Sequence, residues 1–238
     1  MSSFIFNNVS SDELGLIVTE PVVRPSWAFE NAEIKRPGSA SNLIVHGENY
    51  GNANMVIQTA VPEADTQTVR NIYAHLRGLG RLQISTAPQE YLMAVPEMLI
   101  PEAVAIAMCR LPLSFTLLPF ARAVSPTVIT LDYAGIFTQI DNSGTVYSEP
   151  EIRFRAAGEA VEITTNDDVF RMEFNSESLG KEIIIDCEAQ VAYYVSGNDR
   201  ITLTQYTFGS FPLLHTGANF VRFTGVSEIT LNLRERWF

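Results

Sequence analysis

Glu151-Ile152-Arg153-Phe154-Arg155 alternates charged and apolar side chains, and Arg171-Met172-Glu173-Phe174 repeats the pattern. A period of two sends the apolar side chains to one face of a strand and the charged ones to the other. One face is buried and one is wet, the signature of an antiparallel sheet rather than a parallel one. Working outward, the chain from Thr127 onward reads as strand after strand. The expected strands are Thr127–Tyr133, Glu151–Ala156, Ala160–Thr164, Val169–Phe174, Glu182–Asp186, Ala189–Val195, Ile201–Thr204, Phe220–Thr224 and Glu228–Arg234. The joints between them are polar and glycine-bearing: Asp141-Asn142-Ser143-Gly144, Thr165-Asn166-Asp167-Asp168, Ser196-Gly197-Asn198-Asp199 and Thr216-Gly217-Ala218-Asn219. A strand about every 8 to 12 residues fits a β-sandwich or jelly roll.

The first half is also strand-rich, with shorter runs. Phe4-Ile5-Phe6, Leu14–Val18, Leu43–His46 and Asn54–Val61 are separated by Asn, Gly and Ser turn formers. Ala103–Cys109 suits strand or helix, and its flanking Pro101 and Pro112 with the onward run Phe115-Thr116-Leu117 favour strand. One helix stands out near residues 66–79. Asp65 or Thr66 would cap it, Val69, Ile72, Tyr73, Leu76 and Leu79 form its apolar stripe, and Gly78 and Gly80 end it. A lone helix on sheet argues against alternating βα units. The Ala-, Ser- and Pro-bearing segment Phe120–Pro126 breaks the pattern, so the expected domains are residues 1–120 and 121–238. The fold class is mainly β: two β-sandwiches, the first carrying the helix.

Composition narrows the function. The 238 residues are 46% hydrophobic and 18% charged, with a net charge of −11, enough apolar material for a core. Residues 1–120 carry 7 basic against 11 acidic residues, net −4, and residues 121–238 carry 9 against 16, net −7. No Lys/Arg cluster offers the counterion release on which nucleic-acid binding rests. Of the 16 basic residues only Lys35 and Lys181 are lysines. Arginine suits fixed, bidentate pairing with carboxylates, although base-composition bias in the source genome would give the same excess. No run is long and apolar enough for a membrane helix, and Met1–Ser10 lacks the pattern of a signal peptide. Cys109 and Cys187 lie far apart in apolar runs and read as free thiols in a reducing cytoplasm.

The chain is poor in catalytic motifs. His46, His75 and His215 stand outside any metal-ligand spacing. Gly209-Ser210-Phe211-Pro212 lacks the second glycine of a nucleophile elbow. Gly78-Leu79-Gly80 ends a helix instead of opening one, so it is not a dinucleotide loop. Asp141-Asn142-Ser143-Gly144 starts like a calcium loop, but Val146 and Tyr147 stand where oxygen donors are needed. No carboxylate pair sits in a recognisable glycosidase motif. Trp27, Phe29, Tyr193, Tyr194, Phe208, Phe211 and Trp237 would serve a sugar platform, or equally core and interface. The expected catalytic, cofactor and metal residues are none, and no cofactor is expected.

The order of segments resembles the distal tail proteins of long-tailed, non-contractile bacteriophages, the siphophage tail-component (Dit) family. The likeness runs through Asp12-Glu13-Leu14-Gly15-Leu16, the helix ending in Gly78-Leu79-Gly80-Arg81-Leu82, and Pro88-Gln89-Glu90-Tyr91-Leu92-Met93-Ala94. It continues in Asn142-Ser143-Gly144, Glu149-Pro150-Glu151-Ile152-Arg153-Phe154 and Ile183-Ile184-Ile185-Asp186-Cys187. Its most specific parts are Phe211-Pro212-Leu213-Leu214 with Gly217-Ala218-Asn219, and Leu233-Arg234-Glu235-Arg236-Trp237-Phe238.

The resemblance implies a ring-forming first sandwich, a galectin-like second sandwich and a non-enzymatic role. That role is the hub at the distal end of the tail, a homo-hexameric ring joining the tail tube to the tip or baseplate and the host-adhesion apparatus. The implied partners are the tail tube protein, the tail-associated tip or lysin protein and, further out, the tape measure and receptor-binding proteins. Neither specific nucleic-acid binding nor membrane insertion is implied. The implied location is the virion tail tip, after synthesis and assembly in the host cytoplasm. An acidic lumen would let DNA pass without sticking. Two other readings compete: a lectin-like, host-glycan-binding adhesion module and a carbohydrate-active enzyme. The galectin sugar-binding residues do not carry over, because His215 is the second half's only histidine and Trp237 has no Glu or Arg after it.

Overall fold

The computed structural model describes residues 2–35, 41, 43–45, 47, 49–62, 66–97, 102–105, 108–132, 134–166, 168–173 and 178–238. The chain divides into two compact units, Met1–Val124 with Phe238, and Ser125–Trp237. It is mainly β, with one α-helix among the described residues.

The first unit holds β1 (Phe4–Phe6), β2 (Val9–Ser10), β3 (Ile17–Val18), β4 (Ala32–Ile34), β5 (Leu43–Val45), β6 (Ala53–Ile57), β7 (Thr59–Pro62), α1 (Thr66–His75), β8 (Gly80–Ile84), β9 (Glu90–Glu97), β10 (Glu102–Ala105), β11 (Met108–Arg110) and β12 (Leu113–Ala123). One sheet runs β2-β1-β8-β9-β12, with β6 also on β12; a second runs β10-β11-β7-β3; β4 and β5 form a ribbon of their own. Phe4 and Phe6 face inward against Phe115, with the Phe4 and Phe115 rings edge-on at 6.1 Å. The expected run Asn54–Val61 is two strands in two sheets, because the chain turns at Gln58 and Thr59 starts the second layer. Ala103–Cys109 is strand on both sides of residues 106–107, in β10 and β11.

The helix is shorter than its periodicity suggests. Ile72 and Leu76 are buried, and Val69 and Tyr73 are half-buried, a face whose two fully buried side chains contribute about 1.5–3 kcal/mol each. The helix stops at His75, and Leu79 is 54% exposed instead of joining the stripe. The cause lies downstream. A Cβ on Gly80 would stand 2.5 Å from both Phe6 and the Asn7 side chain, so the chain must already be extended there to enter β8. The Asn7 side-chain oxygen accepts the Arg81 N–H at 2.9 Å and fixes that start. The expected cap residue Asp65 and the Thr66 side chain lie outside what the structure describes.

The second unit holds β13 (Val128–Leu131), β14 (Thr138–Asn142), β15 (Glu151–Ala156), β16 (Ala160–Thr165), β17 (Asp168–Glu173), β18 (Glu182–Asp186), β19 (Val191–Ser196), β20 (Asp199–Thr202), β21 (Thr207–Phe208), β22 (Gly217–Thr224) and β23 (Val226–Asn232). Two sheets form, β13-β23-β15-β18-β19-β20 and β14-β22-β16-β17-β21. In β15 Ile152, Phe154 and Ala156 are buried and Arg153 and Arg155 exposed, as the alternation requires. Ile152 lies opposite Ile185 on one side and Leu231 on the other. From the other sheet Ile140, Ile163, Phe170, Met172 and Phe223 complete one continuous core.

Two joints read differently in three dimensions. Asp141 and Asn142 close strand β14, which pairs with β22, and Gly217-Ala218-Asn219 opens β22. Both segments are polar enough to look like loops, yet Asn142 and Asn219 are buried.

Candidate functional site

The residues most specific in the sequence converge in the second unit. The segment Leu233–Arg236 lies among Asn142–Ser148, Glu149, Glu151 and the end of β18. Arg234 donates from Nη1 to Asp186 Oδ1 at 2.7 Å and from Nη2 to Asp186 Oδ2 at 3.1 Å and Glu151 Oε2 at 2.9 Å. Arg236, 5% exposed, donates to Glu149 Oε2 at 2.6 Å and stands 3.4 Å from Glu188 Oε1. Glu235 is buried and accepts the Thr127 N–H at 3.1 Å. Desolvation of these charges is costly, and only such close multiple pairing offsets it.

The electrostatics follow from this geometry. Burial alone would raise the Asp186 pKa. The Arg234 hydrogen bonds, the Ala189 N–H and the guanidinium charge outweigh it and hold the carboxyl below its usual range. Burial likewise works against the Arg234 cation, and Asp186 with Glu151 and Glu188 more than restores it. Next to Asp186, burial pushes the Cys187 thiol far above an ordinary cysteine, and the neighbouring carboxylate adds to the effect.

The backbone is fastened as firmly as the side chains. The Arg236 carbonyl accepts N–H donors from Thr145 at 3.0 Å and Val146 at 3.3 Å. A Cβ on Gly144 would lie 2.5 Å from that same carbonyl oxygen, so the turn tolerates only glycine where it approaches the strand. Asn142 shapes the turn from within: its Oδ1 accepts the Gly144 N–H at 3.0 Å, and its Nδ2 donates to the carbonyls of Val146 at 3.0 Å and Leu214 at 3.2 Å. The Ser148 hydroxyl donates to the Leu233 carbonyl, and the Ser148 backbone exchanges two hydrogen bonds with Leu214.

A second asparagine completes the frame. Asn219, fully buried, accepts the His215 N–H at 2.8 Å and donates to the carbonyls of His215 at 2.8 Å and Gly217 at 2.9 Å. Asn166 donates to its oxygen at 3.1 Å and accepts the Phe220 N–H at 2.9 Å. The three sequence segments Asn142–Gly144, Phe211–Asn219 and Leu233–Arg236 are therefore one hydrogen-bonded assembly. Its buried polar groups are spent on holding loops in register.

Glu149, Glu151 and Asp186 are engaged by arginines, and Cys187 is buried. The His75 and His215 side chains are exposed, and His46 lies outside the described residues. Gly209 precedes Ser210 because a Cβ there would lie 2.3 Å from the Val169 carbonyl oxygen. Among the described residues no three His, Cys, Asp or Glu are grouped to hold a metal ion. Trp27 and Phe29 belong to the first unit, Tyr194 is buried in the second, and Phe211 packs on Phe170 at 5.1 Å. Sequence reasoning marked the three segments as family-like without a role for them. Asn142, Ser148 and Asn219 were missed as anchors, and their signal is a polar residue bounded by core-forming strands.

The chain is similar to known proteins in part of its sequence and in its fold. Residues 143–237 match the siphovirus-type tail component, C-terminal domain. No curated protein sequence matches the chain. The fold matches the crystal structure of Dit from phage SPP1, described as a paradigm of the hub adsorption apparatus in phages infecting Gram-positive bacteria. The TM-score is 0.75 and the identity 13%, over 97% of this chain and 98% of that one. A chain of the phage P2 baseplate in its activated conformation with calcium matches with a TM-score of 0.51 and 7% identity, over 97% of each chain.

Proposed function

We propose that this chain, whose residues 143–237 match the siphovirus-type tail component, C-terminal domain, is the hub at the distal end of a long non-contractile phage tail. The observation that carries the reading is the extent of the fold match to SPP1 Dit, 97% of this chain against 98% of that one. A shared C-terminal domain alone would fit many tail appendages; a shared two-unit chain fits the same position in the particle. On this reading the first unit builds a homo-hexameric ring, and the second carries the adhesion apparatus. The ring joins the tail tube protein on one face to the tip or lysin protein on the other. The role is structural, and the buried polar frame of the second unit serves as its rigid mount. A closed ring of identical subunits needs heterologous contacts, in which one patch meets a different patch on the next copy.

A tagged chain built into virions tests the position. A gold label at the distal tip of the tail is the expected result. Label along the tube or at the capsid contradicts the proposal.

A further inference from the structure

The outer face of the sheet β14-β22-β16-β17-β21 is aromatic where a solvated face would be polar. Val221, Phe223, Ile163, Phe170 and Met172 turn into the core. Alternation therefore turns Phe220, Arg222, Glu162, Thr164 and Arg171 outward. Strand pairing sets them side by side: Arg222 lies opposite Thr164, Glu162 opposite Arg171, and Arg171 opposite Phe208. Phe137, just before β14, holds its ring centroid 4.8 Å from the Arg222 guanidinium. Phe137, Phe208 and Phe220 are 52%, 54% and 52% exposed. Single exposed apolar side chains are ordinary. Here three of the four exposed aromatic residues described in the second unit share one region, so the exposure is concentrated. Such a concentration marks a binding surface.

The groups between the rings select the occupant. Arg222 donates from Nη2 to Glu162 Oε1 and to Thr164 Oγ1, both at 3.4 Å, and Arg171 stands 3.3 Å from Glu173. The bonds are long, and all four charged side chains keep about a third or more of their surface in water. They retain donors and acceptors for a ligand. A protein partner laying apolar side chains on the rings would strip that water from both ion pairs at a cost. A polyanion would meet two arginines already matched by carboxylates, in a half of the chain with net charge −7.

A neutral saccharide satisfies both features of the face. Its C–H faces lie on phenyl rings, whose π surfaces are negative. Its hydroxyls replace water, donating to Glu162 and accepting from Arg222. We infer that this face binds a neutral oligosaccharide. Phe220 and Phe208 are the stacking rings, Arg222 and Glu162 read the hydroxyls, and Phe137 steadies the guanidinium. A few polar groups set among apolar ones is the usual composition of a small-ligand site. The binding is an activity additional to the hub role and does not depend on it.

The test applies the full-length chain to an array of immobilised oligosaccharides, neutral, uronic-acid-bearing and phosphate-bearing. Titration calorimetry with the best neutral member follows. The wild type should bind neutral members, and Phe220→Ala should weaken that binding about tenfold or more. Glu162→Gln keeps the side-chain shape and should weaken it by a smaller factor. Val195→Ala, an exposed side chain on the other sheet, should leave it unchanged. All three variants should keep the wild-type melting temperature. Absence of binding to every neutral member, tighter binding to the phosphate-bearing ones, or equal affinity in wild type and Phe220→Ala overturns the inference. Self-association lost in Phe220→Ala, with no saccharide bound by the wild type, assigns the face to another copy and overturns it as well. None of these outcomes moves the tail-tip label that tests the hub.

Discussion

Arg234 grips Asp186 with both nitrogens of its guanidinium, at 2.7 and 3.1 Å, from a backbone position with φ +50. A non-glycine residue in that left-handed region carries strain of about 1 kcal/mol or more. The carboxylates of Asp186 and Glu151 hold it there. The arginine therefore fixes both the side-chain network and the path of the chain toward Arg236.

Replacing Asp186 by Asn removes one half of this pair and leaves the guanidinium with Glu151 and Glu188. The expected loss is about 1–3 kcal/mol at neutral pH, read from urea unfolding of the second unit. The pH dependence has a definite sign. The folded-state pKa of Asp186 lies below its unfolded value of about 3.9. Its contribution is thus complete above about pH 4 and fades as pH falls through the folded value. The wild type should lose stability over that acid range more steeply than the Asn variant. Equal slopes would remove Asp186 from the account.

Asn219→Ala should cost about 1–3 kcal/mol, because it removes a fully buried amide and the bonds it makes to the His215 N–H and to the carbonyls of His215 and Gly217. The effect belongs to the second unit alone. Differential scanning calorimetry should show its transition moving down while the first unit's stays in place.

Gly144→Ala is the smallest change with a large expected effect. The added methyl meets the Arg236 carbonyl at 2.5 Å, and backbone cannot swing aside as a side chain does. A destabilisation of about 2 kcal/mol or more is expected, whereas Gly158→Ala, with only the Ala160 carbonyl oxygen at 3.9 Å, should be nearly neutral.

The two thiols should differ in reactivity. Cys109 is partly exposed and Cys187 is buried with its pKa driven upward. A thiol reagent should label Cys109 in the native protein and Cys187 only on unfolding. Prompt labelling of both would contradict the packing at Asp186.

Much of the β architecture is legible residue by residue. Glu151–Ala156 announces itself because each inward position is apolar and each outward one charged, so the buried face follows from the pattern alone. Thr138–Asn142 hides, because its inward end is Asn142, a buried amide that looks like a turn former until Leu214 and Val146 are in place to receive it. Leu79 misleads in the opposite direction: it fits the helical stripe, but the contact of Gly80 with Phe6 and Asn7 ends the helix first. The polar frame was visible only as a set of family-like segments. Its chemistry depends on pairings such as Ser148 with Leu233, set by the closed fold and not by local spacing.

The hub account turns on self-association. Mass photometry of the purified wild-type chain, with negative-stain imaging of the same sample, measures it directly. The account predicts a closed ring with six times the 26.4 kDa chain mass. A strict monomer at every concentration, or an open-ended polymer with no closed species, would contradict it.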